Sequence, residues 1–242
     1  MATKVKKLGR RVRLADAAPR VLAALLRNVE DAALASPTRA SVHAMRVATR
    51  RLRAALRVFG GPRSLSLELK VLQDALGAVR DAQLHPRWLG GELRERTLAL
   101  AAAVRRFRRR TALRVAKVEL APRGRLGGHR MRKELRRRLR AVEKRIAAGS
   151  LDPLHAHRLR IAVKKLRYRA ELLRRALPLD GLLEALEPLQ KELGELHDLD
   201  VRRTLEPGLD GARRERKAAA LALLLAHWRA RATARAFLRE LR

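Results

Sequence analysis

The sequence predicts an all-α chain of two similar four-helix units, and three observations carry that expectation. Ala, Leu, Arg and Glu, all strong helix formers, dominate the 242 residues. Gly and Pro fall in clusters that punctuate long breaker-poor stretches. Two motifs then recur, in the same order, in the second half of the chain.

The breaks are Ser36-Pro37, Gly60-Gly61-Pro62, His85-Pro86, Gly90-Gly91, Pro122 to Gly128, Gly149 to Pro153, Pro178 to Gly181 and Pro207 to Gly211. Between them the pattern predicts helices over 13–34, 38–59, 65–84, 92–120, 129–148, 154–176, 181–199 and 211–241. Ser36-Pro37 and Asp152-Pro153 each read as an N-cap followed by a helix-starting proline. Pro188 is expected to kink or split the seventh helix. A basic segment, 1–12, precedes a single domain, 13–242, made of two repeats over about 13–121 and 128–242.

The repeat is specific. VHAMRVATRRLRAALRVF at 42–59 aligns with AHRLRIAVKKLRYRAELL at 156–173, pairing His43, Arg46, Arg50, Arg51 and Arg53 with His157, Arg160, Lys164, Lys165 and Arg167. LQDALGAVRDA at 72–82 aligns with LQKELGELHDL at 189–199, pairing Gly77 with Gly194 and Asp81 with Asp198. Duplication of a bundle packed with pseudo-two-fold symmetry is the reading, and the two glycines are expected to permit close helix packing.

Composition narrows the function. Against 58 Lys+Arg stand 24 Asp+Glu, a formal net charge of +34. Such self-repulsion destabilises a compact state, and a polyanionic partner relieves it. The absence of cysteine excludes disulfides, thiol catalysis and Cys-based zinc sites. The longest apolar run, Ala218–Ala226, is far short of a bilayer span. The basic N-terminus has no apolar stretch behind it, so a cytoplasmic protein without a secretory signal is expected.

At ~100° per residue, His43, Arg46, Arg50, Arg53 and Arg57 share an arc of roughly 80°, opposite a face of Met45, Ala48, Leu52, Ala55, Leu56 and Phe59. His157, Arg160, Lys164 and Arg167 repeat the arc, while Arg51 and Lys165 stand apart from it. Glu171 replaces Arg57, one turn beyond Arg167, where it can pair with it. Stacked like charges cost about 0.2–0.5 kcal/mol per pair on a lone helix, so repetition of the stripe points to a multi-phosphate ligand. Guanidinium forks suit phosphate oxygens, Lys adds point charge, and His charge can follow the ligand's. Asp81 and Asp198, amid these cations, read as carboxylates that orient an Arg or Lys rather than as catalysts.

The His-x-x-Arg-Val/Ile-x-x-Arg/Lys-Arg/Lys-Leu-Arg run, followed by Leu-Gly-x-x-Arg/His-Asp, resembles the CHAD domain (conserved histidine α-helical domain), and both halves carry both motifs. The resemblance implies two four-helix bundles around a basic central channel that binds long-chain inorganic polyphosphate, and a cytoplasmic location at polyphosphate granules, where members are often found. It assigns His43, Arg46, Arg50, Arg51, Arg53 and Arg57 to one wall and His157, Arg160, Lys164, Lys165 and Arg167 to the other, with Arg80 adding to them. His197 stands where the first repeat has Arg80, a departure from the pattern. Some relatives are fused to a triphosphate-tunnel phosphohydrolase domain; this chain has no Glu-x-Glu-x-Lys run.

Other classes fare worse. Sequence-independent nucleic-acid binding is the main alternative, since charge alone would suit it, but the six aromatics Phe59, Trp88, Phe107, Tyr168, Trp228 and Phe237 are scattered and give no stacking platform. Nucleic acid is expected only as an incidental polyanion. No cofactor or metal is called for: the histidines lack the i,i+4 spacing of a helical metal site, and no P-loop or Gly-x-Ser-x-Gly occurs. An enzyme is therefore not expected. Arg105, Arg106, Arg108, Arg109 and Arg110 could meet anionic lipid but read better as a solvated face, as do 129–140 and 211–217.

Overall fold

A computed structural model describes residue 9 and residues 11–34, 38–120, 122–206, 208, 210–230, 237 and 239, with backbone only at 87, 88 and 230. Most of the 1–12 segment, the Ser36-Pro37 break, the Trp88 side chain, Pro207 and most of the chain beyond 230 lie outside the described residues. The chain divides into two compact units, Met1–Leu126 and Gly127–Arg242.

The first unit runs α1 (Leu14–Leu34), α2 (Arg39–Val58), α3 (Arg63–Leu84), a short α4 (Pro86–Leu89), a 3₁₀ turn, α5 (Leu93–Arg106), a π turn (Phe107–Thr111) and α6 (Ala112–Ala116). Each of α1, α2 and α3 packs on the next, α5 packs on α3, and α6 returns to α1, which closes a four-armed bundle. The second unit runs α7 (His129–Ala147), α8 (Pro153–Leu173), α9 (Asp180–Leu205) and α10 (Gly211–Ala230), again with each helix on the next and α10 returning to α7. Among the described residues there is no strand; a lone bridge between Arg13 and Arg125 ties the start of α1 to the chain after α6.

Both cores are aliphatic. Leu52, Leu56, Leu69, Leu72 and Leu76 fill the first and Leu135, Leu139, Leu166, Leu186 and Leu193 the second, with Phe59 and Phe107 the large aromatics fully inside. On α2 the buried set includes Met45, Ala48, Leu52, Ala55 and Leu56, so the apolar arc faces inward as its spacing dictates.

Four details depart from expectation. The N-cap of α2 is Thr38, whose Oγ1 accepts from Ser41 N at 3.2 Å, whereas Asp152 caps α8 as expected, accepting from Leu154 N and His155 N. The expected helix over 92–120 breaks register at Phe107–Thr111 and ends at Ala116. A π turn inserts one residue, and here it leaves both Phe107 and Thr111 buried, with Thr111 Oγ1 donating to Glu68 of α3 at 2.9 Å. Next, α9 is not split at Pro188, which lies inside a single helix. Pro188 and Glu184, whose carbonyl loses its N–H partner, both lie on the exposed face, where water can satisfy the carbonyl. Finally, α9 continues to Leu205, because residues 200–205 contain no Gly or Pro.

The second unit is pinned by a charged knot. Arg169 on α8 is 5% exposed, and its Nε lies 3.2 Å from Glu134 Oε1 on α7. Arg137 and Arg138 donate to the same carboxylate at 2.9 and 2.8 Å. Partial burial raises the Glu134 pKa, but Arg138, Arg169 and Arg137 outweigh it and hold the carboxyl below its usual range. A carboxyl depressed by folding stabilises the fold above its unfolded value, and the gain is lost as pH falls through the folded value. Glu134→Gln is therefore expected to lower stability at pH 7 by on the order of 2 kcal/mol, because a buried guanidinium loses its counter-charge. Thermal unfolding at pH 7 and pH 3 checks this: the defect should shrink at the lower pH, as the wild-type carboxyl moves toward protonation.

Candidate anion-binding rows

The stripe on α2 forms a row along one edge of the first bundle. Arg46, Arg50 and Arg53 are half-buried, and His43 and Arg57 are exposed. Three of its arginines are held by neutral acceptors: Arg46 Nη1 donates to the Leu76 carbonyl at 3.2 Å, Arg53 Nη1 to Gln73 Oε1, and Arg57 Nε to Ser66 Oγ at 3.3 Å. A carbonyl, an amide and a hydroxyl fix a guanidinium without cancelling its charge. Arg50 and Arg80 form no hydrogen bond or ion pair among the described residues.

Arg80, on α3, belongs with this row. Burial and then the charges of Arg80, Arg46 and Arg50 push the His43 imidazole pKa down, so the ring is neutral in water at pH 7. Burial, followed by the charge of Arg57, likewise lowers the Arg53 pKa, without threatening its charge.

Arg46 and Arg50 also reach a groove of about 680 Å³ lined by Gly77, Asp81, Glu92 and Arg96. This groove is mixed in charge, but two of its carboxylates are engaged, Glu92 by Arg96 and Asp74 by Lys70.

The α8 row is weaker. His157 and Lys165 are exposed, Lys164 is half-buried and Arg160 is buried. Arg167 is neutralised by Glu171, with Nε to Oε1 at 3.1 Å, the pairing expected from their spacing. The row gains a member that the motif left unassigned. His197 of α9 presents its ring to His157, with centroids 5.2 Å apart and planes tilted by 48°. Burial and then Arg160, His157 and Lys164 push His197 down to about 4 against the opposing charge of Asp198. Burial, Arg160 and Lys164 lower His157 as well. The signal was available in the sequence, because the offset that pairs Asp81 with Asp198 also pairs Arg80 with His197.

Other expected residues stand further off. Arg51 and Lys165 are exposed. Asp81 and Asp198 are half-buried and form no ion pair among the described residues; Asp198 acts through its charge on His197. Neither glycine is needed for packing. A Cβ on Gly194 would meet nothing within 4 Å, and one on Gly77 would meet only the Arg46 Nη1 at 3.6 Å. Gly77 instead lines the groove that Arg46 and Arg50 reach.

Arg105, Arg106, Arg108, Arg109 and Arg110 are exposed around the π turn. The segments 129–140 and 211–217 are more than solvated faces: besides the Glu134 knot, Arg214 Nε bonds Asp200 Oδ1 at 2.8 Å, and Lys217 joins Glu192 and Glu195. Among the described residues, no cluster of three or more His, Asp or Glu side chains is placed to hold a metal, and no helix is long and apolar enough to cross a membrane.

A family model described as CHAD domain matches residues 16–207. Among solved structures, the CHAD domain from the plant Ricinus communis superposes with a TM-score of 0.67 at 24% identity, covering 100% of this chain and 96% of the other, a likeness of fold. No functionally curated protein matches the sequence.

The glycines supply a test. Gly in a helix interior costs about 0.8–1 kcal/mol relative to Ala, and the Gly194 site is open. Gly194→Ala should therefore raise the melting temperature rather than lower it, as thermal unfolding by circular dichroism will show; a packing role would give the opposite sign.

Proposed function

From the premise that this chain belongs to the CHAD-domain family, we propose that it binds inorganic polyphosphate without turning it over. The observation that carries the reading is the α2 row with Arg80 beside it: cationic side chains at helical spacing, three of them positioned by neutral acceptors. Successive phosphates of a linear chain each offer oxygens to a fork of N–H donors. The α8 row repeats the arrangement with Arg160 and Lys164 as its principal cations. Arg51 and Lys165, which the family pattern also assigns to the site, are exposed to solvent.

Binding is electrostatic, so affinity falls as salt rises and counterion release becomes less favourable. Aromatic poverty, at 2%, costs a base-free polymer nothing, while it removes the stacking that single-stranded nucleic acid uses. Among the described residues, no cluster of three or more His, Asp or Glu placed to hold a metal accompanies the rows. Such a protein is suited to polyphosphate granules, as a resident binder.

Two experiments test this. In a competition series at fixed salt, long-chain polyphosphate should displace a labelled polyphosphate better than charge-matched duplex DNA, single-stranded RNA, heparin or tripolyphosphate, with no phosphate released on incubation. Preference for a nucleic acid would replace the reading, and phosphate release would make the protein an enzyme. In the second, Arg46→Ala, Arg50→Ala, Arg160→Ala and Lys164→Ala together should weaken long polyphosphate by tenfold or more. They should also flatten the salt dependence by about one unit per lost phosphate contact. Four exposed changes on α7, at Arg130, Lys133, Arg140 and Lys144, should do far less; equal losses would mean diffuse charge rather than a site.

A further inference from the structure

We propose that His157 and His197 together form a proton-accepting phosphate subsite, so that the second unit gains ligand-binding charge as the medium turns mildly acidic. The inference rests on the polyphosphate reading and adds a residue, His197, and a proton to it.

The geometry comes first. One ring from α8 and one from α9 face each other 5.2 Å apart at the edge of a groove of about 600 Å³ that Thr204 and Arg203 also line. In the first unit the matching position is Arg80, charged at every physiological pH, beside His43. The same site is thus built once as His with Arg and once as His with His. Glu171, in the place of Arg57, removes further charge from the α8 row. The second row is left short of cations that are permanent and unpartnered by carboxylate, and the pair of imidazoles is its reserve.

The surroundings set the sign. From α8, Arg160 and Lys164 face the pair; from α9 come Asp198 and, along the groove, Asp200 and Arg203. Asp200 is taken by Arg214 of α10. The α7 carboxylate Glu134 is taken by Arg138 and Arg169, and Lys217 of α10 by Glu192 and Glu195. At the start of α8, Asp152 holds His155, with Nδ1 to Oδ2 at 2.6 Å.

The net local field is positive, and with burial it keeps both rings neutral at pH 7, His197 down to about 4. A phosphate chain in the groove reverses that field. Each ring then holds a proton more tightly in the complex than alone. Between the free and bound values binding takes up protons, and affinity climbs as pH falls, levelling off below the free value. Internal phosphates of a long chain stay ionised throughout, so the dependence belongs to the protein.

Calorimetric titration of the full chain with long-chain polyphosphate, at pH 8 and pH 5.5 and in two buffers of different ionisation enthalpy, counts the protons. The wild type should bind about tenfold more tightly at pH 5.5, with net proton uptake. His157→Gln with His197→Gln should remove at least half of that uptake and cut the gain below about threefold, leaving the part owed to His43. His197→Arg should raise affinity at pH 8 and flatten the profile, while Arg80→His should steepen it. Thermal melts confirm folding, and Arg80→His, which places no new charge inside, serves if His197→Arg fails to fold. Binding with unaltered proton uptake in the double Gln variant, or an unchanged profile in Arg80→His, overturns the subsite. Absence of polyphosphate binding at either pH overturns the polyphosphate reading and the subsite with it.

Discussion

Carboxylates are the scarce reagent in this protein, and their placement governs both its packing and its site. With 58 cations against 24 anions, the helices cannot neutralise one another, and each Asp or Glu must be used where it matters most. Glu134 ties α8 to α7 through Arg169, Glu68 holds the π turn and Arg114 against α3, and Asp200 fastens α10 to α9 through Arg214. These carboxylates stitch helices together within each unit. The α2 row is anchored by what is not scarce: a backbone carbonyl, a glutamine and a serine. An acceptor without charge orients a guanidinium and leaves its electrostatic reach intact, which is the preorganisation an anion site needs.

The two halves began from one pattern but do not present the same chemistry. Two substitutions at matched positions separate them, Arg57 against Glu171 and Arg80 against His197. Both remove fixed positive charge from the second row. The first pairs off Arg167, while the second exchanges a guanidinium for a ring whose charge depends on its company. The first unit's row owes its field mainly to guanidiniums, with the single ring of His43 among them; the second has two rings, His157 and His197, whose charge follows their surroundings.

Much of this was legible in advance, for identifiable reasons. The helices follow from long Ala/Leu/Arg stretches between Gly and Pro clusters, and the inward face of α2 follows from 3.6-residue spacing. The Arg167–Glu171 pair follows from an i,i+4 spacing. What stayed hidden depends on tertiary contact. The π turn at Phe107–Thr111 is set by the fit of Phe107 and Thr111 against α3, which no local propensity encodes. Arg169 reads as one more surface cation until α7 supplies Glu134. Gly77 and Gly194 imply close packing only until the neighbouring helices are seen to leave room beside them. His197 was visible in the alignment of the repeats, but its meaning required its ring to be seen against His157.

The energetic logic links stability to ligation. Rows of like charge raise the free energy of the folded state, and a core of Leu, Ala and Val with two large aromatics inside must hold against them. Hydrophobic burial is non-directional and proportional to area, so it can hold helices together without dictating what lies on their outer faces. With 58 cations against 24 anions, the chain carries more positive charge than its own carboxylates can neutralise, and a polyanion can relieve the remainder. A ligand that removes a destabilising term binds the folded state in preference to the unfolded one, and by mass action it stabilises the fold by RT ln(1 + [L]/Kd). The excess charge that makes the fold costly is thus the same charge that a bound polyanion would neutralise.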